Sequence, residues 1–224
     1  MWPFKGKKIA FFIPCLFRRE GNFIFECVEG IHANYPDSDI VIVDSCSKEQ
    51  HQDYIKDLKK KYGDKIKSIL NNPAYEWGAY VKAHNGFRDK YDIIFCIQDS
   101  LIIKSKISLK GLDDETVLTF EDFPNDFSGD GVQGFCNFEE IDGYNGLGGP
   151  TMCVWNSFII TNNAINKMMD SEYFQKLKGP DSKVGSRFWE RAWGIALAAV
   201  NIKTKRFDDF IVHAQYTKKF GGRG

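Results

Sequence analysis

Residues 9–14 read Ile-Ala-Phe-Phe-Ile-Pro, and residues 39–44 read Asp-Ile-Val-Ile-Val-Asp. Both stretches are almost continuously apolar, which is typical of parallel strands that are covered on both faces. Between them an apolar stripe runs from Ile24 to Tyr35 at steps of four, three and four residues, which predicts a helix. A strand, a helix and a second buried strand form the repeating unit of an α/β sheet.

The same alternation continues to about residue 104. An apolar helical stripe ends at Gly63, and a second one runs from Trp77 to Phe87. Lys67 to Leu70 and Tyr91 to Ile97 are the predicted third and fourth strands. The sequence therefore predicts an α/β fold with a mixed central sheet flanked by helices.

The second half of the chain is less regular. Residues 122–150 are rich in Gly, Asp, Asn and Phe and have no sustained period, which is typical of a functional or mobile stretch. The later predicted elements are an apolar segment Met152 to Ile160, a helix Thr161 to Met169, a helix from about Ser186, as its N-cap, to Val200, and a strand Asp209 to His213. At 224 residues and 43% hydrophobic composition, one core suffices, and we expect a single domain.

Composition excludes several classes of protein. The chain has 30 Lys and Arg against 30 Asp and Glu, so no basic field favours non-specific nucleic-acid binding. Its apolar runs are far shorter than the ~20 residues of a membrane-spanning helix, so we expect no transmembrane segment. The six cysteines are scattered without a C-x-x-C pair, which disfavours a zinc site or a disulfide framework. A reducing, cytoplasmic location is expected.

The residues after the first strand argue against several cofactor sites. Pro14 to Arg18 read Pro-Cys-Leu-Phe-Arg, without the G-x-G-x-x-G of a nicotinamide or flavin site. The Gly-rich, Arg-bearing loop of a sugar nucleotidyltransferase is also missing there, and the P-loop pattern occurs nowhere in the chain. The later Gly146 to Pro150 follows no predicted strand and is interpreted as a turn.

Polar residues follow the second and fourth predicted strands, where open α/β sheets bind ligands. Asp44 and Ser45 end the second strand, where the carboxylate can bind a nucleobase N–H or cap the following helix. Asp99 lies between two apolar runs, and burial of a carboxylate there is costly without a partner. A divalent metal ion bound by Asp99 would remove that cost and neutralise a diphosphate.

These features together resemble the nucleotide-sugar-binding half of a GT-A glycosyltransferase, most closely the family-2 type. The resemblance covers about residues 8–105 and is carried by the Ile-Pro end of the first strand, by Val43-Asp44-Ser45-Cys46-Ser47, by Gly78, Lys82, Asn85 and Gly86, and by Gln98-Asp99-Ser100. It implies a GT-A-like fold. Residues 106–215 would then form the acceptor-binding half, followed by a flexible tail from residue 216 to 224.

The resemblance also implies the residues of a donor site. Asp44 matches the Asp that binds the base, and residues 98–100 stand where the family has its Asp-x-Asp metal motif, although Asp99 alone keeps a carboxylate. A Mn²⁺ or Mg²⁺ cofactor is therefore possible, with His213 as a further ligand or as a merely structural residue. Lys82 is either a cation near the phosphates or part of a solvated helix face. The expected nucleotide-sugar contacts are Pro14, Asp44, Ser45, Lys82, Gln98, Asp99 and Ser100.

Arg187 to Trp193, Arg-Phe-Trp-Glu-Arg-Ala-Trp, resembles the acidic motif of the family's second half. Glu190 matches its carboxylate, which is the catalytic base of inverting members. A carboxylate in an aromatic setting has a raised affinity for protons, which suits a general base. The alternative is a Glu in the first turn of a helix, which would complement the helix dipole or pair with Arg187 or Arg191.

The expected activity is the transfer of a sugar from a nucleoside-diphosphate sugar to an acceptor hydroxyl, with inversion. The acceptor would be a glycan, a glycoprotein or a glycolipid. Two alternatives are a retaining glycosyltransferase on the same fold and a non-catalytic nucleotide-sugar or glycan-binding module. The later aromatic residues are either an acceptor platform or core: Phe120, Phe123, Phe127, Phe135, Phe138 and Tyr144.

Overall fold

The computed structural model describes residues 6–17, 23–47, 49, 52–120, 153, 156–177, 179–180, 183–206 and 214–216. For residues 183–188, 191 and 214–216 it describes the backbone alone. The strands are β1 (Ile9–Cys15), β2 (Asp39–Asp44), β3 (Ile66–Ile69), β4 (Ile93–Cys96), β5 (Leu101–Ile103), β6 (Thr116–Thr119), β7 (Phe158–Thr161), β8 (Lys203–Arg206) and β9 (Ala214–Tyr216). The helices are α1 (Ile24–Asn34), α2 (Asp53–Tyr62), α3 (Tyr75–Phe87), α4 (Asn162–Met169), α5 (Glu172–Lys176) and α6 (Lys183–Ala199), and a 3₁₀ turn covers Gly63–Lys65.

The main sheet is mixed, in the order β3-β2-β1-β4-β7-β6-β8. Strands β1 to β4 are parallel to one another. Strand β7 then runs antiparallel to both β4 and β6, while β8 pairs parallel with β6. Strands β5 and β9 form a separate antiparallel pair. The predicted fold class, a mixed α/β sheet flanked by helices, is confirmed.

The four parallel strands agree with the apolar runs of the sequence. Strand β2 covers the predicted residues 39–44, and β1 extends one residue further than predicted, to Cys15. Strand β3 begins and ends one residue earlier than predicted. Strand β4 is shorter than its apolar run, and Ile97 instead donates its backbone N–H to the carbonyl of Phe12 at 3.1 Å.

Apolar residues cover both faces of the main sheet, which explains why its strands are continuously hydrophobic. On one face Phe12 and Val41 belong to a core that also contains Tyr80 of α3 and Trp193 of α6. On the other face the core is built against α1 and α2. Alternate residues of β1, β2 and β4 therefore belong to different cores. The edge strand β8, Lys-Thr-Lys-Arg, is mostly exposed.

The predicted helix start at Ser186 is wrong, because α6 begins at Lys183, three residues earlier. The prediction rested on Ser186 as an N-cap, a position at which Ser is favoured. Tertiary packing overrides propensity here, since Trp189 and Trp193 are fully buried against the core and stabilise the helix. The predicted start of α4 is confirmed, with Thr161 as N-cap accepting from the N–H of Ala164 at 3.2 Å.

None of the helices in the described ranges combines the length and hydrophobicity needed to cross a bilayer.

His84 lies on the apolar face of α3, where the sequence pattern predicts a packed residue. It is buried, with 2% of its surface exposed, and neither ring nitrogen hydrogen-bonds to a described residue. Burial lowers the pKa of His84 from 6.5, the charge of Arg88 adds to this, and Asp170 and Asp89 oppose it. Because the pKa of His84 is lower in the folded than in the unfolded protein, acid favours unfolding. The contribution of neutral His84 to the free energy of unfolding is complete above pH 6.5 and is lost as the pH falls towards the folded-state pKa. We therefore expect His84→Leu to lose less stability than the wild type between pH 7.5 and 5.5, measured by urea unfolding. Equal losses in the two proteins would show that His84 does not contribute to acid lability.

Candidate active site

The carboxyl ends of the parallel strands bring the predicted donor residues to one edge of the sheet. Cys15 of β1 pairs with Asp44 of β2, and the N–H of Ser45 donates to the carbonyl of Cys15 at 2.7 Å. On the other side of β1, Phe12 pairs with Cys96, the last residue of β4. The turns that follow β1, β2 and β4 therefore lie side by side.

Asp44 is fully buried, and both of its carboxylate oxygens accept hydrogen bonds from the chain. The N–H of Ser47 donates to Oδ1 at 2.8 Å, and the hydroxyl of Tyr54 donates to Oδ2 at 3.0 Å. Burial is the main cause that raises the pKa of Tyr54, so its phenol stays protonated and remains a donor. Asp44 thus holds the loop between β2 and α2. The alternative that it caps the following helix is wrong, because the N-cap of α2 is Gln52, with no side-chain cap hydrogen bond.

The rest of that loop is held by hydroxyl groups and by an amide. The Oγ of Ser47 accepts from the N–H of Phe17 at 2.7 Å, and the ring of Phe17 stacks on Tyr54 with centroids 4.5 Å apart. The Oγ of Ser45 accepts from Nδ2 of Asn72 at 3.3 Å. Two turns of different strands are therefore connected at Ser45.

Asn72 is a residue of this edge that the sequence did not reveal. Only 1% of it is exposed, and its Nδ2 also donates to the carbonyl of Tyr75 at 2.6 Å. Its backbone N–H donates to the carbonyl of Asp44 at 2.9 Å. Asn72 thereby links the end of β2 to the start of α3. The Asn71-Asn72-Pro73 run after β3 was the available signal, since such residues form turns.

Gly78 leaves room for Asn72. A Cβ at Gly78 would lie 2.3 Å from Oδ1 of Asn72 and 2.6 Å from Cβ of Ala74. We expect Gly78→Ala to destabilise the fold by about 1–3 kcal/mol, as overpacking does, despite its higher helix propensity. Gly86→Ala on the same helix is the matched control, because its Cβ would meet only Cδ1 of Ile69, at 3.6 Å. Equal melting temperatures for the two variants would contradict the close fit at Gly78.

Gln98 contacts a carboxylate that the sequence did not predict. Its Nε2 donates to Oε1 of Glu76 at 3.0 Å, and Glu76 is 7% exposed. Glu76 lies in the first turn of α3, directly after the loop that follows β3. Because Gln98 and Glu76 are 22 residues apart, no local pattern indicates this pair.

Asp99 and Ser100 are buried, with 3% and 1% of their surfaces exposed. They lie in the tight turn between β4 and β5, where the N–H of Leu101 donates to the carbonyl of Gln98 at 3.1 Å. Burial chiefly raises the pKa of Tyr80, and the charges of Glu76 and Asp99 add to this effect. Glu76 and Tyr80 lie about one turn apart on α3.

The metal site predicted at Asp99 and His213 is only partly covered by the structure. Among the described residues no group of three His, Cys, Asp or Glu could hold a metal ion. His213 lies outside the described residues, and the next residue along the chain, Ala214, pairs with Ile103. The described side chains therefore do not form a complete cation site.

Lys82 and Pro14, two further residues of the predicted donor site, lie near the same edge of the sheet. The Nζ of Lys82 donates to the carbonyl of Asn71 at 2.7 Å, so this half-buried side chain holds the loop after β3. Pro14 is buried within β1. It lacks an N–H, but the ladder between β1 and β4 ends at Phe12, so Pro14 does not interrupt that pairing.

Glu190 lies about two turns inside α6, because the helix begins at Lys183. The helix dipole acts mainly within the first turn, so the alternative of a dipole-complementing Glu is not supported. The carbonyl of Glu190 accepts from the N–H of Cys153 at 2.7 Å. Burial chiefly raises the pKa of the Cys153 thiol, and the charge of Glu190 raises it further.

Cys153 connects Glu190 to the edge described above. Burial raises the pKa of Cys96, and Cys153 is the further cause. Cys96 is the last residue of β4, two residues before Gln98. Trp189, the neighbour of Glu190, packs against Trp77 of α3 with ring centroids 5.4 Å apart. The part of α6 that carries Glu190 therefore lies against the start of α3, where Glu76 accepts from Gln98.

Of the predicted aromatic platform, Phe120 is fully buried and belongs to the core, as the structural alternative held. The other five residues lie outside the described ones: Phe123, Phe127, Phe135, Phe138 and Tyr144.

Comparison with known proteins identifies similar folds but no similar sequence. No family model and no curated protein matches the chain. A structure of GalNAc-T7 with UDP, GalNAc and Mn²⁺ is 11% identical, with a TM-score of 0.49, over 75% of this chain and 39% of that one. The galactosyltransferase LgtC, in complex with donor and acceptor sugar analogues, is 13% identical over 89% of this chain, with a TM-score of 0.45. An active-site mutant of LgtC is 11% identical, with a TM-score of 0.49.

The present chain spans about two fifths of the length of GalNAc-T7 and covers 72% of LgtC. At these identities and TM-scores, the likeness does not establish the activity of this chain. The expected mixed α/β sheet agrees with the observed strand order.

Proposed function

We propose that this chain is a glycosyltransferase that moves a sugar from a nucleoside-diphosphate sugar to the hydroxyl of a glycan, glycoprotein or glycolipid. The observation that carries the proposal is the packing of α6 against α3 beside Glu190, where the rings of Trp189 and Trp77 lie 5.4 Å apart, next to Glu76, which accepts from Gln98. Inverting transfer needs a base and a leaving-group site on opposite sides of the reacting carbon. Residues 8–105 would bind the donor and residues 106–215 the acceptor.

In the proposed donor site, Asp44 and Ser45 bind the nucleobase side, with Pro14 beneath them. Gln98, Asp99 and Ser100 lie next to the diphosphate. Lys82 supports this role, since one N–H of its ammonium group is used by Asn71 and an ammonium group has two more to donate. A cation there would stabilise the charge of the departing diphosphate.

In the proposed reaction, an oxygen of the acceptor attacks the anomeric carbon, and Glu190 takes its proton. The bond between that carbon and the diphosphate oxygen breaks, and the nucleoside diphosphate leaves with the electron pair. Attack opposite the leaving group inverts the anomeric configuration. Glu190 is half-buried, which supports its role as a base, because a general base must be accessible to the hydroxyl whose proton it takes.

A divalent cation, Mn²⁺ or Mg²⁺, would neutralise the diphosphate if Asp99 holds it. We expect Asp99→Asn to abolish the part of nucleotide binding that depends on Mn²⁺ and to leave binding in EDTA nearly unchanged. Isothermal titration with UDP, with Mn²⁺ or with EDTA, measures both parts. Unchanged Mn²⁺-dependent binding in the variant would show that Asp99 does not hold the metal. Full activity of the wild type in excess EDTA would show that basic side chains, and not a metal ion, neutralise the diphosphate.

The proposal is tested by a thermal-shift screen with UDP-glucose, UDP-galactose, UDP-N-acetylglucosamine and GDP-mannose, each with and without Mn²⁺. A ligand at 100 times its Kd stabilises the native state by about 2.7 kcal/mol, which raises the melting temperature by several degrees. Release of nucleoside diphosphate from the stabilising donor is then measured with a panel of sugar acceptors. NMR of the product distinguishes inversion from retention.

Each outcome of this screen has a consequence. A stabilising donor that is turned over supports the proposal. Binding without turnover favours a non-catalytic nucleotide-sugar module, an alternative that the single remaining carboxylate of residues 98–100 supports. No shift with any of the four donors would overturn the donor site.

A further inference from the structure

Asn156 connects the two helices that carry the residues of the proposed site. It is 2% exposed and lies just before β7. Its carbonyl accepts from the hydroxyl of Tyr80 at 2.8 Å, and its Oδ1 accepts from Nε1 of Trp193 at 3.1 Å. Tyr80 belongs to α3 and Trp193 to α6, and both are fully buried.

The geometry at Asn156 is specific to this residue type. Its φ is +51°, in the left-handed region that Asn adopts more readily than most residues. The indole N–H of Trp193 can only donate, so the amide oxygen of Asn156 must face it. One residue thus combines an unusual backbone conformation with two buried hydrogen bonds to different helices.

Each of the two helices carries a residue of the proposed site about one turn from its contact with Asn156. On α3, Tyr80 is four residues after Glu76, which accepts from Gln98. On α6, Trp193 is three residues after Glu190. Residues three or four apart share a helix face, so a shift of Tyr80 or Trp193 moves the neighbouring carboxylate with it.

A second contact lies close to the first. Cys153 is three residues before Asn156, and its N–H donates to the carbonyl of Glu190 at 2.7 Å. The segment before β7 therefore holds α6 at two places, at Glu190 and one turn later at Trp193.

We propose that Asn156 is a positioning residue that sets the distance between Glu190 and the donor edge of the sheet. This inference rests on the proposed function, in which Glu190 is the base. Because a displacement of about 1 Å can cost ~10²-fold in rate, loss of the Asn156 contact should lower turnover without weakening donor binding.

Three variants break the contacts of Asn156 in different ways, and the two on its partners have matched controls. Asn156→Gly keeps access to the left-handed backbone conformation but removes the amide. Trp193→Phe removes the donor and keeps a ring. Trp189→Phe is the control for the latter, because Nε1 of Trp189 is buried on the same helix and hydrogen-bonds to no described residue. Tyr80→Phe is compared with Tyr91→Phe, which loses a bond of 2.8 Å to Asp39 at the opposite end of the sheet.

The first measurement needs no substrate. Hydrogen exchange of the Cys153 amide should accelerate by roughly 10-fold in Asn156→Gly and in Trp193→Phe, because the loop that carries it loses its second contact to α6. It should remain at the wild-type rate in Trp189→Phe and Tyr91→Phe. An unchanged rate in both Asn156→Gly and Trp193→Phe would overturn the inference, whatever the enzyme's activity.

The second measurement is turnover of the donor that gives the largest thermal shift, with water as acceptor. Trp193→Phe should lower kcat by about 10- to 100-fold with unchanged donor KM. Added to Glu190→Gln it should cause no further loss, because a positioning residue acts through the base. Equal loss in the presence and absence of the Glu190 carboxylate would overturn the inference.

Failure of the proposed function gives a different result. In that case Glu190→Gln keeps wild-type turnover, or no donor is turned over at all. Hydrogen exchange at Cys153 still decides whether Asn156 holds the segment at Glu190. The two failures are therefore distinguishable.

Discussion

Replacement of Glu190 by Gln is expected to lower turnover by ~10²- to 10⁴-fold, the usual contribution of a general base. The variant keeps the shape of the side chain and loses its basicity. Donor affinity should survive, because the base contacts the acceptor and not the nucleotide. Turnover, donor Kd and melting temperature are measured on the same preparation.

Glu172→Gln is the matched control for this experiment. Glu172 is exposed in the first turn of α5 and pairs with Lys176 at 2.7 Å, so its loss should leave turnover unchanged. Glu190 lies inside α6 and not in its first turn, so a dipole effect does not predict a loss of stability for Glu190→Gln. Near-normal turnover of Glu190→Gln with unchanged donor affinity would refute the assignment of the base.

Asp44→Asn is expected to weaken the binding of UDP by about 1.5–3 kcal/mol, roughly 10- to 150-fold, if Asp44 accepts a hydrogen bond from the base. Asn keeps an oxygen for the N–H of Ser47, and the hydroxyl of Tyr54 can rotate to accept from the new amide. The loop is therefore expected to keep its conformation. Calorimetry with UDP gives the affinity, and thermal unfolding gives the stability.

Tyr54→Phe separates the two roles of Asp44. This variant removes the hydrogen bond of 3.0 Å to Oδ2 but keeps the carboxylate, so UDP affinity should stay near the wild-type value. Equal weakening in Asp44→Asn and Tyr54→Phe would assign Asp44 to holding the loop alone. Unchanged affinity in a folded Asp44→Asn would remove Asp44 from the site.

The sequence predicted where the turns of the candidate site lie, but not the side-chain contacts between them. The turns after β2 and β4 were expected at one edge because parallel strands place their carboxyl ends together, and both lie there. Glu76 and Asn72 were not expected, although they contact Gln98 and Ser45. Their partners are 22 and 27 residues away, and a single sequence carries no pattern for such pairs.

The sequence by itself determined the four parallel strands, the helices between them and the burial of both faces of the sheet. Local patterns suffice for these features, because the spacing of the apolar residues indicates which faces of a strand or helix are buried. Only the tertiary structure decided that β7 runs antiparallel beside β4, that α6 begins at Lys183, and that Asp44 bonds to Tyr54. These features depend on contacts between segments far apart in the chain, where packing and buried hydrogen bonds outweigh local propensity.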